Sequence, residues 1–182
     1  MTELNPTPAA TKDHSLRAVV QDLSRWIGRL DKGAQADLRR GNPSDPTRPT
    51  LWRLLFGVVE PAGRLPAAEG AARDAAERAW AILCWAIATA GADHFSSGRA
   101  FGRALRAAGV SELRFVRLLR ANVDQIEHEV RGVIGQLASK GESSDPHGLA
   151  LLLGLGHGDA ETIRRDIARD YFDEDRKQGK VG

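Results

Sequence analysis

Hydrophobic residues recur at steps of three and four along most of this chain, a spacing typical of amphipathic α-helices. The first periodic segment runs from Ser15 to Leu30, and the longest runs from Ala71 to Ala90. The second half of the longer segment is apolar on every face, which predicts a helix enclosed by others. No segment alternates polar and apolar positions in the manner of a strand. The pattern predicts an all-α protein with about eight or nine helices.

Glycine, proline and serine divide this pattern into separate helices. Loops are predicted at residues 41–49, 60–70, 91–97 and 139–146, where these residues are concentrated. Besides the two segments above, helices are expected over residues 33–40, 51–59, 98–108, 112–121, 122–138, 147–155 and 159–172.

Capping residues mark where several of these helices begin. Thr50, Ser111 and Asp159 each stand immediately before a periodic segment, as N-caps do. Asn122 is followed three residues later by Gln125, the spacing of a capping box. These residues predict the first turns of four helices.

The break at 91–97 also divides the chain into two predicted bundles, over residues 15–92 and 97–172, which could share one core. Residues 1–14 are polar and contain two prolines, so we expect a disordered leader there. Residues 173–182 are mostly charged or polar and are expected to form a frayed tail.

The composition is ordinary for a soluble globular protein, with 42% hydrophobic and 27% charged residues. The single cysteine, Cys84, lies in an apolar helix and is interpreted as a core residue, and no internal disulfide is possible. The N-terminus lacks the apolar run of a signal peptide. The longest apolar stretch, 79–90, is shorter than the roughly 20 residues that cross a bilayer. We expect a cytoplasmic protein without a membrane partner.

The sequence offers no arrangement of residues for catalysis. The five histidines are scattered and give no close pair of metal ligands: His14, His94, His128, His147 and His157. The glycines at 154–158 resemble a phosphate-binding loop, but Asp159 stands where the last glycine would be, and no strand precedes them. We therefore predict no catalytic residue, metal site, cofactor or small-molecule substrate.

Positive charge is concentrated in residues 97–120. This segment contains six arginines and one acidic residue, Glu112, so its net charge is +5 in a chain whose total is +2. At helical spacing, three arginines form one stripe before Gly109, and three more fan over the next helix. The six are Arg99, Arg103, Arg106, Arg114, Arg117 and Arg120. We expect the two helices to present one continuous cationic surface.

Such a surface favours a polyanion as its ligand. Its arginines would contact phosphates and release counterions without reading bases. No aromatic residue is interleaved on this stripe, so base stacking is not predicted there. Arg39, Arg40, Arg48 and Arg53, around the proline loop, are further basic candidates.

Three alternatives compete with this interpretation. The arginines can form an ordinary solvated face that is balanced by acids, including those of the next helix. Residues 98–121 can form the helix-turn-helix of a DNA-binding regulator, although the second helix offers mainly arginine where base-reading side chains are usual. A helical interaction scaffold could also use the same charge to bind acidic protein surfaces.

Four short motifs follow one another along the chain: Leu38-Arg39-Arg40-Gly41 before a proline loop, Trp52-x-x-Leu55, Gly102-Arg103-Ala104-Leu105, and Glu112-Leu113-Arg114-Phe115-x-x-Leu118-Leu119-Arg120-Ala121. In this order and spacing they resemble the CasB family, the small subunits of the type I-E CRISPR Cascade surveillance complex. The likeness extends over residues 15–172, the whole of the chain between the predicted leader and the predicted tail.

The resemblance implies a non-enzymatic, all-helical protein made of two small bundles. It also implies that a second copy lies alongside in Cascade, next to the guide RNA and the other subunits. Basic residues would help to hold target DNA and the displaced strand of the R-loop, without sequence specificity, in antiviral defence. Family basic positions match Arg40, Arg103, Arg114, Arg120 and, more loosely, Arg131, whereas Arg99, Arg106 and Arg117 are added from helical geometry.

Overall fold

Helices make up all the regular structure in the described part of the chain, which confirms the all-α prediction. The computed structural model describes residues 15–42, 45, 47–92 and 98–177. The predicted leader, most of the predicted break at 91–97 and the end of the predicted tail lie outside the described residues. In chain order the helices are α1 (Leu16–Arg29), α2 (Lys32–Arg40), α3 (Pro49–Leu54) with a π-helical turn (Leu55–Val59) after it, α4 (Ala71–Ala90), α5 (Phe101–Ala107), α6 (Glu112–Arg120), α7 (Ile126–Lys140), α8 (Pro146–Leu152) and α9 (Ala160–Lys177).

Capping side chains begin α6 and α9 where the sequence predicted. The Ser111 hydroxyl accepts a hydrogen bond from an amide in the first turn of α6 at 3.4 Å, and the Asp159 carboxylate does the same for α9 at 2.8 Å. The prediction at α3 is wrong, because Pro49 is its first residue and Thr50 lies inside the helix. Proline suits the first helical position, where its missing N–H would have no partner.

The start of α7 also differs from the prediction, because Asn122 caps a turn that precedes the helix. Its Oδ1 accepts hydrogen bonds from the amides of Asp124 and Gln125 at 3.1 and 3.0 Å, and α7 begins only at Ile126. The Asn122 amide in turn donates to Gln125 Oε1 at 3.5 Å. The reciprocal contacts of a capping box are therefore present, but the predicted helix start is too early.

The core is centred on α4, the helix predicted to be enclosed by others. It packs against α1, α2, α7 and α8. Its residues Trp80, Leu83 and Ile87 are fully buried in one contiguous core that takes side chains from both halves of the chain. Cys84 is also fully buried, and burial raises the pKa of its thiol to about 12. The thiol is therefore protonated at neutral pH and packs as a small apolar group.

The first half of α4 is anchored by a buried arginine. Arg73 forms ion pairs with Glu60 and Glu77, each at 2.8 Å, and donates a hydrogen bond to the carbonyl oxygen of Pro66 at 2.9 Å. The hydrogen bond to Glu60 raises the pKa of Arg73. These contacts hold the loop before α4 against the helix.

Neither α4 nor any other described helix is both long and apolar enough to cross a membrane.

α5 and α9 approach so closely that their contact requires a glycine. A Cβ placed on Gly102 would overlap the carbonyl oxygen of Ile167 and lie 2.8 Å from the amide nitrogen of Tyr171. Beside this contact, Tyr171 stacks on Phe115 of α6 with ring centroids 3.9 Å apart. α9 continues to Lys177, past its predicted end. This helix therefore positions both of the helices that carry the arginines of 97–120.

Candidate nucleic-acid interface

The arginines of 97–120 lie on two helices that pack against different neighbours. Arg103 and Arg106 belong to α5, which packs against α9, whereas α6 packs against α7. Arg99 precedes α5. Acidic side chains on or next to α7 and α9 therefore determine how much positive charge remains for a ligand.

On α5, two arginines are engaged by α9. Arg103 Nε lies 3.3 Å from Asp170, and its Nη2 lies 3.5 Å from Asp173. Arg106 Nη1 donates a hydrogen bond to the Tyr171 hydroxyl at 3.3 Å, and its guanidinium carbon is 5.3 Å from the centre of that ring. Both side chains are partly buried. They connect the two helices, and two carboxylates balance the charge of Arg103.

Two more arginines form ion pairs with acids that are distant in sequence. Arg99 Nη1 lies 2.7 Å from Glu142, just after α7, and Arg117 Nη2 lies 2.7 Å from Glu129 in the first turn of α7. The Arg117 side chain remains 57% exposed. Water and salt weaken a pair of this kind, which contributes about 1 kcal/mol at most. A phosphate can therefore compete for Arg117 more easily than for Arg103.

Arg114 and Arg120 retain their charge on the exposed side of α6. Arg114 Nη1 donates a hydrogen bond to the neutral Gln136 at 3.0 Å. Within the described residues, Arg120 forms no ion pair and no side-chain hydrogen bond. Together with Arg117 it borders an open groove of about 520 Å³ between α6 and α7, beside Leu113, which is 73% exposed. Arg114 and Arg120 are therefore available to an anion from solvent.

Arg40 and Arg131, far apart in sequence, belong to two helices that both contact Trp85. The Trp85 indole donates a hydrogen bond to the carbonyl oxygen of Arg39 at 3.1 Å. The Arg131 guanidinium carbon lies 4.9 Å from the centre of the Trp85 ring, and its Nε lies 3.3 Å from Glu127. Arg40 is exposed at the end of α2. The end of α2 and the middle of α7 thus both lie against Trp85, with Arg40 exposed and Arg131 paired with Glu127.

The two arginines beside the proline loop have different surroundings. Arg48 is 4% exposed, and its guanidinium donates hydrogen bonds to the carbonyl oxygens of Asp37 and Asn42. It occupies the space beside Gly41, where a Cβ would overlap its guanidinium. Arg48 is therefore a structural residue. Arg53 is exposed on α3.

Sequence reasoning considered acids of the next helix as partners of the arginines, and Arg117 does pair with Glu129 of α7. It missed the acids of α9, where Asp170 contacts Arg103 of α5. Regular spacing of acids on α9 is the only local signal, and it does not identify the partner helix.

Within the described residues, no group of three histidine, cysteine or acidic side chains could hold a metal ion.

Comparison with known proteins identifies the family. A family model described as CRISPR-associated protein Cse2 matches residues 34–172, well over half of the chain. The chain belongs to the Cse2 family. This confirms the resemblance to CasB, which is the same family, and makes the chain a small subunit of a type I-E Cascade.

One chain of a solved structure shares the fold. It is a chain from the crystal structure of E. coli Cascade bound to a PAM-containing dsDNA target with a 32-nt spacer, at 3.20 Å resolution. The two chains superpose with a TM-score of 0.63 and 21% sequence identity, over 86% of this chain and 95% of that chain. A comparison with curated protein sequences finds no match.

Proposed function

We propose that this Cse2 protein is a non-catalytic subunit of Cascade that binds nucleic acid without sequence specificity. In antiviral defence it stabilises target DNA and the displaced strand of the R-loop. The observation that carries this proposal is the exposed pair of cations Arg114 and Arg120 on α6, neither of which forms an ion pair within the described residues. Neither side chain contacts a carboxylate within the described residues, so both can contact phosphates.

The ion pairs divide the candidate arginines into two groups. Arg99 and Arg103 connect helices through carboxylates, so their main role is to hold α5 in place. Arg40, Arg114 and Arg120 are exposed and would supply the phosphate contacts. Such contacts release counterions and carry no base information. Guide pairing would then read the sequence, while this protein supplies charge along the strand.

Partners follow from the assembly. The other Cascade subunits, the guide RNA, the target DNA and a second copy of this chain are the proposed partners, in the cytoplasm. The E. coli complex that contains the similar chain is bound to double-stranded DNA. Its fold supports placing this chain in an equivalent assembly.

The test compares two double variants of the full-length protein with matched changes in charge. Arg114→Ala with Arg120→Ala removes the free cations of α6. Arg165→Ala with Arg169→Ala removes two exposed arginines of α9 that pair with acids of their own helix, at 2.8 and 3.0 Å. DNA binding is followed by fluorescence anisotropy across a salt series, with several unrelated sequences.

We expect the α6 variant to bind all sequences more weakly and to lower the slope of log affinity against log salt by about two. The α9 variant should match the unchanged protein. An α6 variant that is folded but keeps its affinity and salt slope contradicts the proposal. Strong preference for one DNA sequence would instead indicate a helix-turn-helix regulator. Absence of DNA affinity at low salt would indicate a scaffold for acidic proteins.

A further inference from the structure

Trp52 and Phe56 form an aromatic stack on the surface of the N-terminal half. Their ring centroids lie 5.3 Å apart and their planes are inclined by 15°. Trp52 is partly buried against the core, whereas Phe56 is 48% exposed. The stack therefore has an anchored inner ring and an outer ring that is open to solvent.

The π-helical turn after α3 holds Phe56 at the surface. Leu55 and Val59, at its two ends, are almost fully buried, and the amide of Glu60 donates a hydrogen bond to the carbonyl oxygen of Leu55 at 2.8 Å. A Cβ placed on the next residue, Gly57, would meet no atom within 4 Å, so the space beside Gly57 is open. Turns of this kind occur frequently at functional sites.

A cation precedes this ring by three residues. Arg53 is exposed on α3, and Phe56 is exposed in the π-helical turn that continues this helix. No ion pair engages Arg53 within the described residues. Glu60, the next acid along the chain, pairs with Arg73 at 2.8 Å. Arg53 therefore keeps its charge three residues before an exposed aromatic ring.

We propose that Phe56 is a stacking site for one base of a single-stranded nucleic acid, with Arg53 on the adjacent phosphate. The inference rests on the proposed function and adds strand selectivity to it. In a duplex the bases stack on each other and leave no face for Phe56, whereas an unpaired base has one. Every base has such a face, so the site is tolerant of sequence. Neither residue belongs to the arginine segment at 97–120, where the sequence predicted no stacking.

The experiment measures binding of a labelled oligothymidylate and of a duplex of equal length to the full-length protein. Phe56→Ala should weaken single-strand binding about ten-fold, with an unchanged salt slope and unchanged duplex affinity. Phe56→Trp should restore binding, because it keeps a ring. Arg53→Ala should lower the salt slope for the single strand by about one. Phe172→Ala, which removes a ring of similar exposure (45%) on α9, is the matched control and should leave binding unchanged.

The outcomes separate this inference from the proposed function. Phe56→Ala with unchanged single-strand affinity overturns the stacking site, and so does an equal loss for single strand and duplex. If the variant binds DNA normally but no longer assembles into Cascade, a protein partner occupies the ring. The proposed function stands in these cases as long as the Arg114 and Arg120 variant loses affinity. Phe56→Leu, which keeps apolar contact with Trp52 but has no ring, gives the same readout if Phe56→Ala does not fold.

Discussion

Arg103 and Arg120 carry the same charge on neighbouring helices, yet the fold gives them different surroundings. Arg103 lies between two carboxylates of α9, Asp170 and Asp173, whereas Arg120 contacts no acid in the described part of the chain. Their local sequences are similar, since each is a basic residue in a leucine-rich helix. A residue's role in this protein therefore depends on side chains far along the chain.

His147 shows the same dependence for a titratable group. At the start of α8, its Nδ1 lies 3.3 Å from Arg17 Nη2. Burial lowers the pKa of His147, the Arg17 charge lowers it further, and Asp145 opposes both effects. The folded protein therefore disfavours the protonated imidazole.

A pH dependence of stability follows from this shift. The pKa in the folded state is below the ordinary value of 6.5, so the unfolded chain binds the proton more readily. The contribution of the neutral His147 side chain to the free energy of unfolding is fully present above the ordinary pKa of 6.5. It is lost as the pH falls through the pKa of His147 in the folded state. We expect His147→Gln to reduce the loss of unfolding free energy between about pH 7.5 and about pH 5, measured by urea denaturation. An identical loss in both proteins would contradict this assignment.

Among the helices, the sequence predicted α4 to the residue and misplaced the first turns of α3 and α7. The second half of α4 is apolar on all sides and is buried in the core. The π-helical turn at 55–59 differs from a regular helix only in its hydrogen-bond spacing, which the pattern of apolar residues does not encode. The end of a helix depends on the hydrogen bonds of a single turn, so the sequence predicts it less well than it predicts a helix whose residues are buried in the core.

The contact of α5 with α9 gives a test at this scale. Gly102→Ala places a methyl group against the backbone of α9, so we expect it to lower the free energy of unfolding by about 1–3 kcal/mol. Gly135→Ala is the control, because a Cβ at this exposed position of α7 meets no atom within 4 Å. It should raise stability by about 0.5–1 kcal/mol through the helix preference of alanine. Urea denaturation monitored by circular dichroism measures both, and equal effects would contradict the close packing.

Across the whole molecule, α4 joins the two predicted bundles. Its buried side chains contact helices from both halves of the chain, in one contiguous core. A division at 91–97 would therefore separate two bundles that share their central helix. We interpret them as parts of one cooperative unit.

Unfolding by two probes tests this interpretation. All four tryptophans, Trp26, Trp52, Trp80 and Trp85, lie in the first half of the chain, two of them on α4, so their fluorescence reports on that half and on the packing of α4. Circular dichroism reports on the helices of both halves. We expect the two urea transitions to have the same midpoint. Separate midpoints would show that the bundles unfold independently.

The sequence by itself determined the helical class, the enclosed helix α4, the caps Ser111 and Asp159 and the family resemblance. All of these depend on spacing along the chain, where hydrophobic periodicity and capping act locally. Only the tertiary structure decided which arginines remain free for phosphates, because their acidic partners come from α7, α9 and the loop between α7 and α8. It also decided that Phe56 is exposed over a partly buried Trp52, since burial depends on how helices pack and not on their order.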